Sequence, residues 1–457
     1  MKDNNGKVDL SLDGEEFFRQ YGRKKTVGMF TLGCKVNQYE TEAMAGIFRQ
    51  KGYEVVDFSG EADVYVINTC TVTSLSDRKS RQMIRRAKSS NKNSIVAVVG
   101  CYSQASPEEV RNIPGVNVII GTRERSKIVD YVNEIEADAG QVCIVENIMK
   151  EKSFEALKID AYEGRTRAFL KIQEGCSQFC AYCIIPYARG PIRSRPHDEI
   201  LSEVERLSES GFKEVVLTGI HIASYGKDIK STSLTEIIRQ VHEVKGIERI
   251  RLGSLEPMAI TDEFIGMAKE LTRLCPHYHL SLQSGCNATL NRMNRKYSVA
   301  EYKEVVERLR QAVPDVAITT DIMVGFPGET DSEFRETYRF IEEISFAQMH
   351  IFKYSRRKGT PAADFEDQIS SELKEERAKT LTELARLKTL EFNSRFIGRI
   401  MPVLFEQHYA GVKGMIEGLT PNYIKVISRA PVKLKGQVAR VEIESAEQDY
   451  AAGKIVE

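Results

Sequence analysis

The sequence predicts an α/β protein in three parts: an N-terminal doubly wound parallel sheet, a central partial (β/α)6 barrel and a small C-terminal antiparallel β-barrel. Three observations predict it. Short apolar runs alternate with helix-length amphipathic segments from Lys25 to Ile120, and again from Ala168 to Phe352. The first strand of the second block runs into a loop bearing Cys176, Cys180 and Cys183. Beyond about Arg395 the helical pattern stops, and short strands separated by turns take over.

Composition sets the outer limits. A chain of 457 residues accommodates about three domains, and 42% hydrophobic content suffices for a sizeable core. Lys+Arg and Asp+Glu balance at 65 each, so any nucleic-acid surface must be a local patch. Met1 to Glu16 is polar and acidic without an apolar leader segment. No apolar run approaches the ~18 residues of a spanning helix, so no membrane partner is expected. The chain reads as cytoplasmic, and its nine cysteines are expected to be reduced. Metal or catalytic roles then outrank disulfides.

The elements follow in order. Residues 1–23 read as a mobile tail and 24–137 as the first domain, with strands at Thr26–Thr31, Asp63–Asn68, Ser94–Val99 and Asn117–Ile120. Helices are expected at Gln38–Lys51 and at the basic stretch Asp77–Lys88. Residues 138–161 read as a connector containing one strand, Gln141–Val145, in which Cys143 packs rather than ligates. Residues 162–394 form the barrel, with strands beginning at Ala168, Glu214, Arg249, His279, Ala317 and Gln348 and five helices between them. Ser371–Arg395 predicts a long helix, with Leu373, Leu381, Leu384, Leu387 and Leu390 as a core stripe. Residues 395–457 form the small barrel, with strands at 400–405, 414–418, 423–427 and 438–443.

Two cysteine constellations carry the chemistry. Cys176, Cys180 and Cys183 stand at i, i+4 and i+7 between Gly175 and Pro186. Thiolates are soft ligands for iron–sulfur clusters or zinc, and structural zinc usually takes four ligands. Three cysteines without a matching pair suit a four-iron cluster with one open iron, which is able to chelate the amino and carboxylate groups of S-adenosylmethionine. The plain alternative is three buried or zinc-binding cysteines. The second set is dispersed: Cys34, Cys70 and Cys101 each stand just past a predicted strand. Ligands gather outside the carboxyl ends of strands in open α/β sheets, so these three are candidates for a second cluster. The competing reading is three unrelated core residues.

Barrel chemistry sits at the carboxyl ends of the strands. That places Thr218, Gly219, His221, Ser254, Glu256, Gln283, Ser284, Asp321 and the turn Gly325–Glu329 at one mouth. Gly219, Glu256, Gln283 and Asp321 are the candidate S-adenosylmethionine contacts. His221 is a candidate base, though a lone His is more often a structural hydrogen bonder, and Gly325–Gly328 with Pro327 is first of all a tight turn. Candidate phosphate contacts are Arg78, Lys79, Arg81, Arg85, Arg86 and Lys88 on one helix, Arg189, Arg193 and Arg195 after the cysteine loop, and Arg356, Arg357 and Lys358 after the last strand.

The run Thr31-Leu32-Gly33-Cys34-Lys35-Val36-Asn37-Gln38-Tyr39-Glu40-Thr41, the loop from Cys176 through Arg195, and Val324-Gly325-Phe326-Pro327-Gly328-Glu329-Thr330 occur in that order. Together with the terminal small barrel, they resemble the radical-SAM methylthiotransferases. Gly33-Cys34-Lys35-Val36-Asn37-Gln38, Leu252-Gly253-Ser254-Leu255-Glu256-Pro257 and Leu282-Gln283-Ser284-Gly285-Cys286 are most similar to the branch acting on threonylcarbamoyladenosine of tRNA. The resemblance implies a radical-SAM core, a terminal TRAM RNA-binding domain, S-adenosylmethionine and two [4Fe-4S] clusters. Cys34, Cys70 and Cys101 would hold the auxiliary cluster, and Cys176, Cys180 and Cys183 the other. It also implies a tRNA anticodon stem-loop as substrate and an electron donor such as a flavodoxin or ferredoxin; the sulfur source is undefined. The reaction implied is methylthiolation of C2 of N6-threonylcarbamoyladenosine at position 37. Relatives acting on isopentenyladenosine tRNA or a ribosomal protein share this architecture. A non-catalytic zinc or RNA-binding protein is the alternative of another class. Cys275 and Cys286 fit no ligand pattern.

Overall fold

The computed structural model describes residues 8–135, 140–157, 159, 166–410, 412–430 and 432–456. The expected domain boundaries at 137–138 and 161–162, and residues 1–7 of the expected tail, lie outside the described residues.

The first domain is a six-stranded, all-parallel sheet in the order Glu54–Val56, Thr26–Thr31, Val64–Thr69, Ile95–Gly100, Val118–Ile120, Val142–Ile144. Side chains alternate across it, so Val64 and Val66 face one layer and Tyr65 and Ile67 the other. Met44 and Phe48 of helix Lys35–Gln50 cover the first face. Ile84 and Ala87 of helix Ser74–Ser90 cover the second. The sheet is therefore doubly wound, as the alternation predicts.

Two expectations are corrected here. Residues 14–21 are a helix, not a mobile tail: Asp13 caps it through the backbone N–H groups of Glu15 and Glu16, and Gly22 ends it at φ 70°. Phe17 is fully buried, and the Lys25 ammonium donates to the carbonyls of Leu10 and Leu12 at 2.7 and 2.9 Å. The strand Val142–Ile144 is not a connector element but the sixth strand of the sheet, paired to Val118–Ile120.

The central barrel has parallel strands at Arg167–Glu174, Glu214–Gly219, Arg249–Leu252, His277–His279, Ala317–Val324 and Gln348–Lys353. Single parallel bridges, Ile250 to Leu274 and Leu255 to Leu280, join its two halves. Helices His197–Glu209, Leu234–Glu243, Asp262–Glu270, Val299–Ala312 and Asp331–Ile344 intervene, and their apolar faces meet Val215, Leu217, Ile250 and Ile318 in one core. Helix Ser371–Ser394 follows, burying Leu381 and Leu384. Leu387 departs from the expected stripe, since it is 54% exposed.

The last domain is a closed five-stranded barrel: Ile400–His408, Met415–Leu419, Lys425–Arg429, Ala451–Val456, Val438–Ala446. Four strands were expected; the fifth, Ala451–Val456, closes the cylinder by pairing antiparallel to 438–446 and parallel to 425–429. Two barrel arginines lock this domain on. Arg249 donates to the carbonyls of Leu419 and Pro402, and Arg251 to those of Pro421 and Thr420.

Candidate active site

Strands 26–31, 64–69 and 95–100 are immediate neighbours in the first sheet. Their carboxyl ends therefore bring Cys34, Cys70 and Cys101 to one edge. Gly33, at φ 110°, makes the turn; a side chain there would put a Cβ 2.9 Å from that of Cys70. Gly100, at φ 97°, packs equally tightly against Asn68 and Thr69. Cys70 and Cys101 are buried, while Cys34 is exposed to the barrel interior. Burial pushes the Cys101 thiol up to about 12, with the Arg189 guanidinium opposing.

The Cys176–Cys183 loop leaves strand Arg167–Glu174 through Gly175, at φ 74°, where a Cβ would overlap the Pro191 carbonyl. It is braced from outside: Asn294 Nδ2 donates to the Phe179 carbonyl at 2.9 Å, and the Ala181 N–H to that of Met293 at 2.9 Å. Burial pushes Cys176 up to about 11 and Cys183 up to about 12; Arg295 opposes both. Arg295 donates to Cys180 Sγ at 3.3 Å and pairs with Glu256 at 2.9 Å.

Both sets have the chemistry of a cubane cradle. All nine cysteines are free, and each triad has an arginine N–H donated to one of its sulfurs. Among the described residues, no three His, Cys, Asp or Glu side chains converge on a single metal ion. A cubane instead spreads three thiolates over three irons.

Arg189 joins the two sets. It ends helix Ile185–Arg189, which follows Cys183 directly, and donates from Nε to Cys101 Sγ at 3.1 Å. Its other nitrogens reach Glu40 at 2.6 Å, Glu174 at 3.0 Å and Asn37 Oδ1 at 2.6 Å. Lys171 and Arg125 complete this buried network, each pairing with Glu40. Burial opposes ionisation of both acids, but these cations prevail: Glu174 sits at about 2, and Glu40 well below the usual carboxylate range.

This is a correction to the expected phosphate contacts. Arg189, Arg193 and Arg195 are 0, 1 and 1% exposed, and Arg195 pairs with buried Glu203 at 2.6 Å. Arg357 is likewise buried, against Asp77 at 2.7 Å. Arg78, Lys79, Arg85, Arg86, Arg356 and Lys358 remain exposed. Ser74, at the start of the basic helix, touches Ser355 and the Arg356 carbonyl, which sets that end of the helix beside residues 355–356.

The barrel interior holds a cavity of about 380 Å³. Its lining includes Cys34 and Lys35 from the first domain, Gly219, Ser254, His279 and Asp321 from the strands, and Tyr423 from the small barrel. Of the four expected S-adenosylmethionine contacts, Gly219 and Asp321 line it. Glu256 is not among its lining residues and faces the cysteine loop through Arg295 and His221. Gln283, at φ 68°, is tied to Asp321 by its backbone N–H. Cys176, Cys180 and Cys183 lie outside the lining. His221 bonds Ser224 at 2.6 Å, and the Gly325–Glu329 turn is held by the Glu329–Arg377 pair at 2.7 Å; both match the structural readings. Sequence inspection singled out neither Arg295 nor the Glu40 network. Glu40 and Lys35 nevertheless lie inside the first motif, Lys35 next to Cys34 and Glu40 five residues further on.

The profile of the Radical SAM superfamily matches residues 170–341, and that of "Uncharacterized protein family UPF0004" residues 26–121. The chain is 43% identical over 434 residues to the Bacillus subtilis threonylcarbamoyladenosine tRNA methylthiotransferase MtaB, covering 94% of this chain and 96% of that one. The Aquifex aeolicus MtaB is 40% identical, over 91% and 100%. A tRNA-2-methylthio-N(6)-dimethylallyladenosine synthase of Clostridium tetani is 36% identical, over 87% and 89%. Among solved structures, the Kitasatospora setae radical S-adenosylmethionine methyltransferase TsrM aligns over 75% of this chain and 77% of its own at a TM-score of 0.55 and 15% identity, a likeness of fold alone. Superfamily membership implies S-adenosylmethionine and a [4Fe-4S] cluster. No helix among the described residues is long and apolar enough to cross a membrane. With these matches spanning nearly its whole length and its cysteine loop at the mouth of the barrel, the chain belongs to the radical-SAM tRNA methylthiotransferases.

Proposed function

We propose that this enzyme methylthiolates C2 of N6-threonylcarbamoyladenosine at position 37 of tRNA. The observation that carries this is Arg189, which ties Cys101 to the segment leaving the Cys176–Cys183 loop, in a chain 43% identical to a threonylcarbamoyladenosine tRNA methylthiotransferase. Cys176, Cys180 and Cys183 would hold the superfamily cluster. Cys34, Cys70 and Cys101 would hold a second [4Fe-4S] cluster. When bound, the first would supply the electron for reductive cleavage of S-adenosylmethionine to methionine and a 5′-deoxyadenosyl radical, and the second would supply a sulfur site for transfer to the unactivated C2.

The protein's own contribution is placement and charge. Arg295 and Arg189 offset the negative thiolates in buried surroundings, where uncompensated charge is costly. Gly219, Glu256, Gln283 and Asp321 would position S-adenosylmethionine at the strand ends. The interior that Cys34 faces receives the base, fixing the sulfur beside C2. The exposed cations of helix Ser74–Ser90 with Arg356 and Lys358 would grip the stem-loop phosphates, and the small barrel, as a TRAM-type domain, would extend that surface. The electron donor would be a flavodoxin- or ferredoxin-class protein, and the setting the bacterial cytoplasm.

Nucleoside mass spectrometry of tRNA from cells with and without the gene tests the substrate. Loss of the 2-methylthio derivative of threonylcarbamoyladenosine is expected. Loss confined to an isopentenyl-type derivative, or to a modified ribosomal protein, would overturn the assignment.

A further inference from the structure

We infer that Lys35 binds the carboxylate of the N6-threonylcarbamoyl group and so selects this adenosine over those with an uncharged N6 substituent. The inference deepens the function proposed above and rests on it. Lys35 follows Cys34 and begins helix Lys35–Gln50. It lines the barrel cavity and also an adjoining opening walled by Gln38, Arg167 and Glu406. Among the described residues its ammonium makes no hydrogen bond or ion pair; the contact it does make is with the Phe169 ring, 6.0 Å away.

The nearby acids are already engaged. Asp321 faces His279 at 3.3 Å, Glu406 pairs with Arg167, and Glu214 pairs with Arg251 at 2.7 Å. A half-buried, unpaired cation on the wall of this cavity is favourably met by an anion. Two features point to the same kind of ligand. Helix Lys35–Gln50 has no side-chain cap at its start, so its positive end adds to the ammonium. His277, 4% exposed, lines the same cavity with Nδ1 lacking a partner, a match for a hydroxyl beside the carboxylate.

The chemistry of the nucleoside fits this placement. C2 and the N6 substituent flank N1 on one edge of adenine. A cation next to the thiolate that faces C2 therefore lies on the side where the substituent hangs. The threonyl group brings a carboxylate and a hydroxyl; a dimethylallyl group brings neither.

The test uses the full-length, anaerobically reconstituted enzyme and three anticodon stem-loops, bearing threonylcarbamoyladenosine, its methyl ester or unmodified adenosine. Fluorescence anisotropy should show the wild type preferring the acid over the ester by about ten- to a hundredfold, the worth of one charge-assisted hydrogen bond. In K35M the acid should bind no better than the ester, while K35R retains most of the preference. Turnover of the acid by K35M should fall through KM more than kcat, with iron content per chain as in the wild type. Equal wild-type affinity for acid and ester overturns the inference, as does a full preference persisting in K35M. The wild-type ester comparison decides the matter even if K35M fails to load its clusters. If the wild type methylthiolates a different nucleoside and not the threonylcarbamoyl stem-loop, the substrate assignment falls, independently of Lys35.

Discussion

Arg189 shows how much a single side chain decides in this molecule. One guanidinium touches a sulfur of the N-terminal triad, two carboxylates and Asn37. Removing it leaves Glu40 and Glu174 buried with insufficient positive charge. Arg189→Ala should therefore destabilise the protein by about 3–5 kcal/mol, read as a lowered urea midpoint of the apoprotein. The cysteines separate differently by assay. Cys176→Ala should abolish 5′-deoxyadenosine formation. Cys70→Ala should retain some of it while yielding no 2-methylthio product by nucleoside mass spectrometry; normal product from Cys70→Ala would remove the N-terminal triad from the mechanism.

At the scale of elements, the turns matter as much as the strands they end. The segment between strand Thr26–Thr31 and helix Lys35–Gln50 must reverse within three residues, and Gly33 does this at φ 110° against Cys70. Gly33→Ala is strained twice, by its backbone and by the Cβ contact. It should reduce iron bound per chain while S-adenosylmethionine cleavage persists, checked by colorimetric iron assay beside chromatography of 5′-deoxyadenosine. Helix Ser74–Ser90 makes a separate prediction. Arg85 and Arg86 are exposed on it, so replacing both with Gln should weaken tRNA binding and flatten its salt dependence by about 1.5 in log–log slope. An unchanged slope would take this helix out of the RNA surface. The same scale shows what periodicity conveys: alternation predicts the central strands well. The helix Gly14–Tyr21 goes unread because its surroundings are polar and its anchor, Phe17, is a single buried ring.

Across the whole molecule, the three domains are held by buried charge as well as by apolar packing: Tyr39 and Ala43 join the barrel core, and Phe392 and Phe396 join that of the small barrel. Glu40 comes from the first domain and Lys171, Glu174 and Arg189 from the barrel, while Arg249 and Arg251 clamp the small barrel by its carbonyls. Both network acids titrate below their unfolded range, Glu174 at about 2. A depressed carboxylate stabilises fully above its unfolded pKa of about 4.3 and ceases to as pH falls towards the folded value. The apoprotein should accordingly lose stability between about pH 4.5 and 2, through separation of the first domain from the barrel. Differential scanning calorimetry across that range checks it. Glu40→Gln should shift the acid transition, and an unaltered transition would deny the network this role.

The local order of the chain was enough to determine the class of each domain and the strand ends past which Cys34, Cys70, Cys101 and the Cys176–Cys183 loop stand, because hydropathy period is a property of neighbouring residues. Tertiary structure alone decided which charges face solvent. Arg189, Arg193 and Arg195 follow one another as a basic run would, yet all three are buried: Arg189 meets Glu40, 149 positions away, Arg195 meets Glu203, and Arg193 donates to the carbonyls of Arg189 and Pro191. It also decided that Lys35 has no such partner among the described residues. The Arg189–Glu40 pair is a meeting of distant segments, and no short window along the chain contains both of its halves.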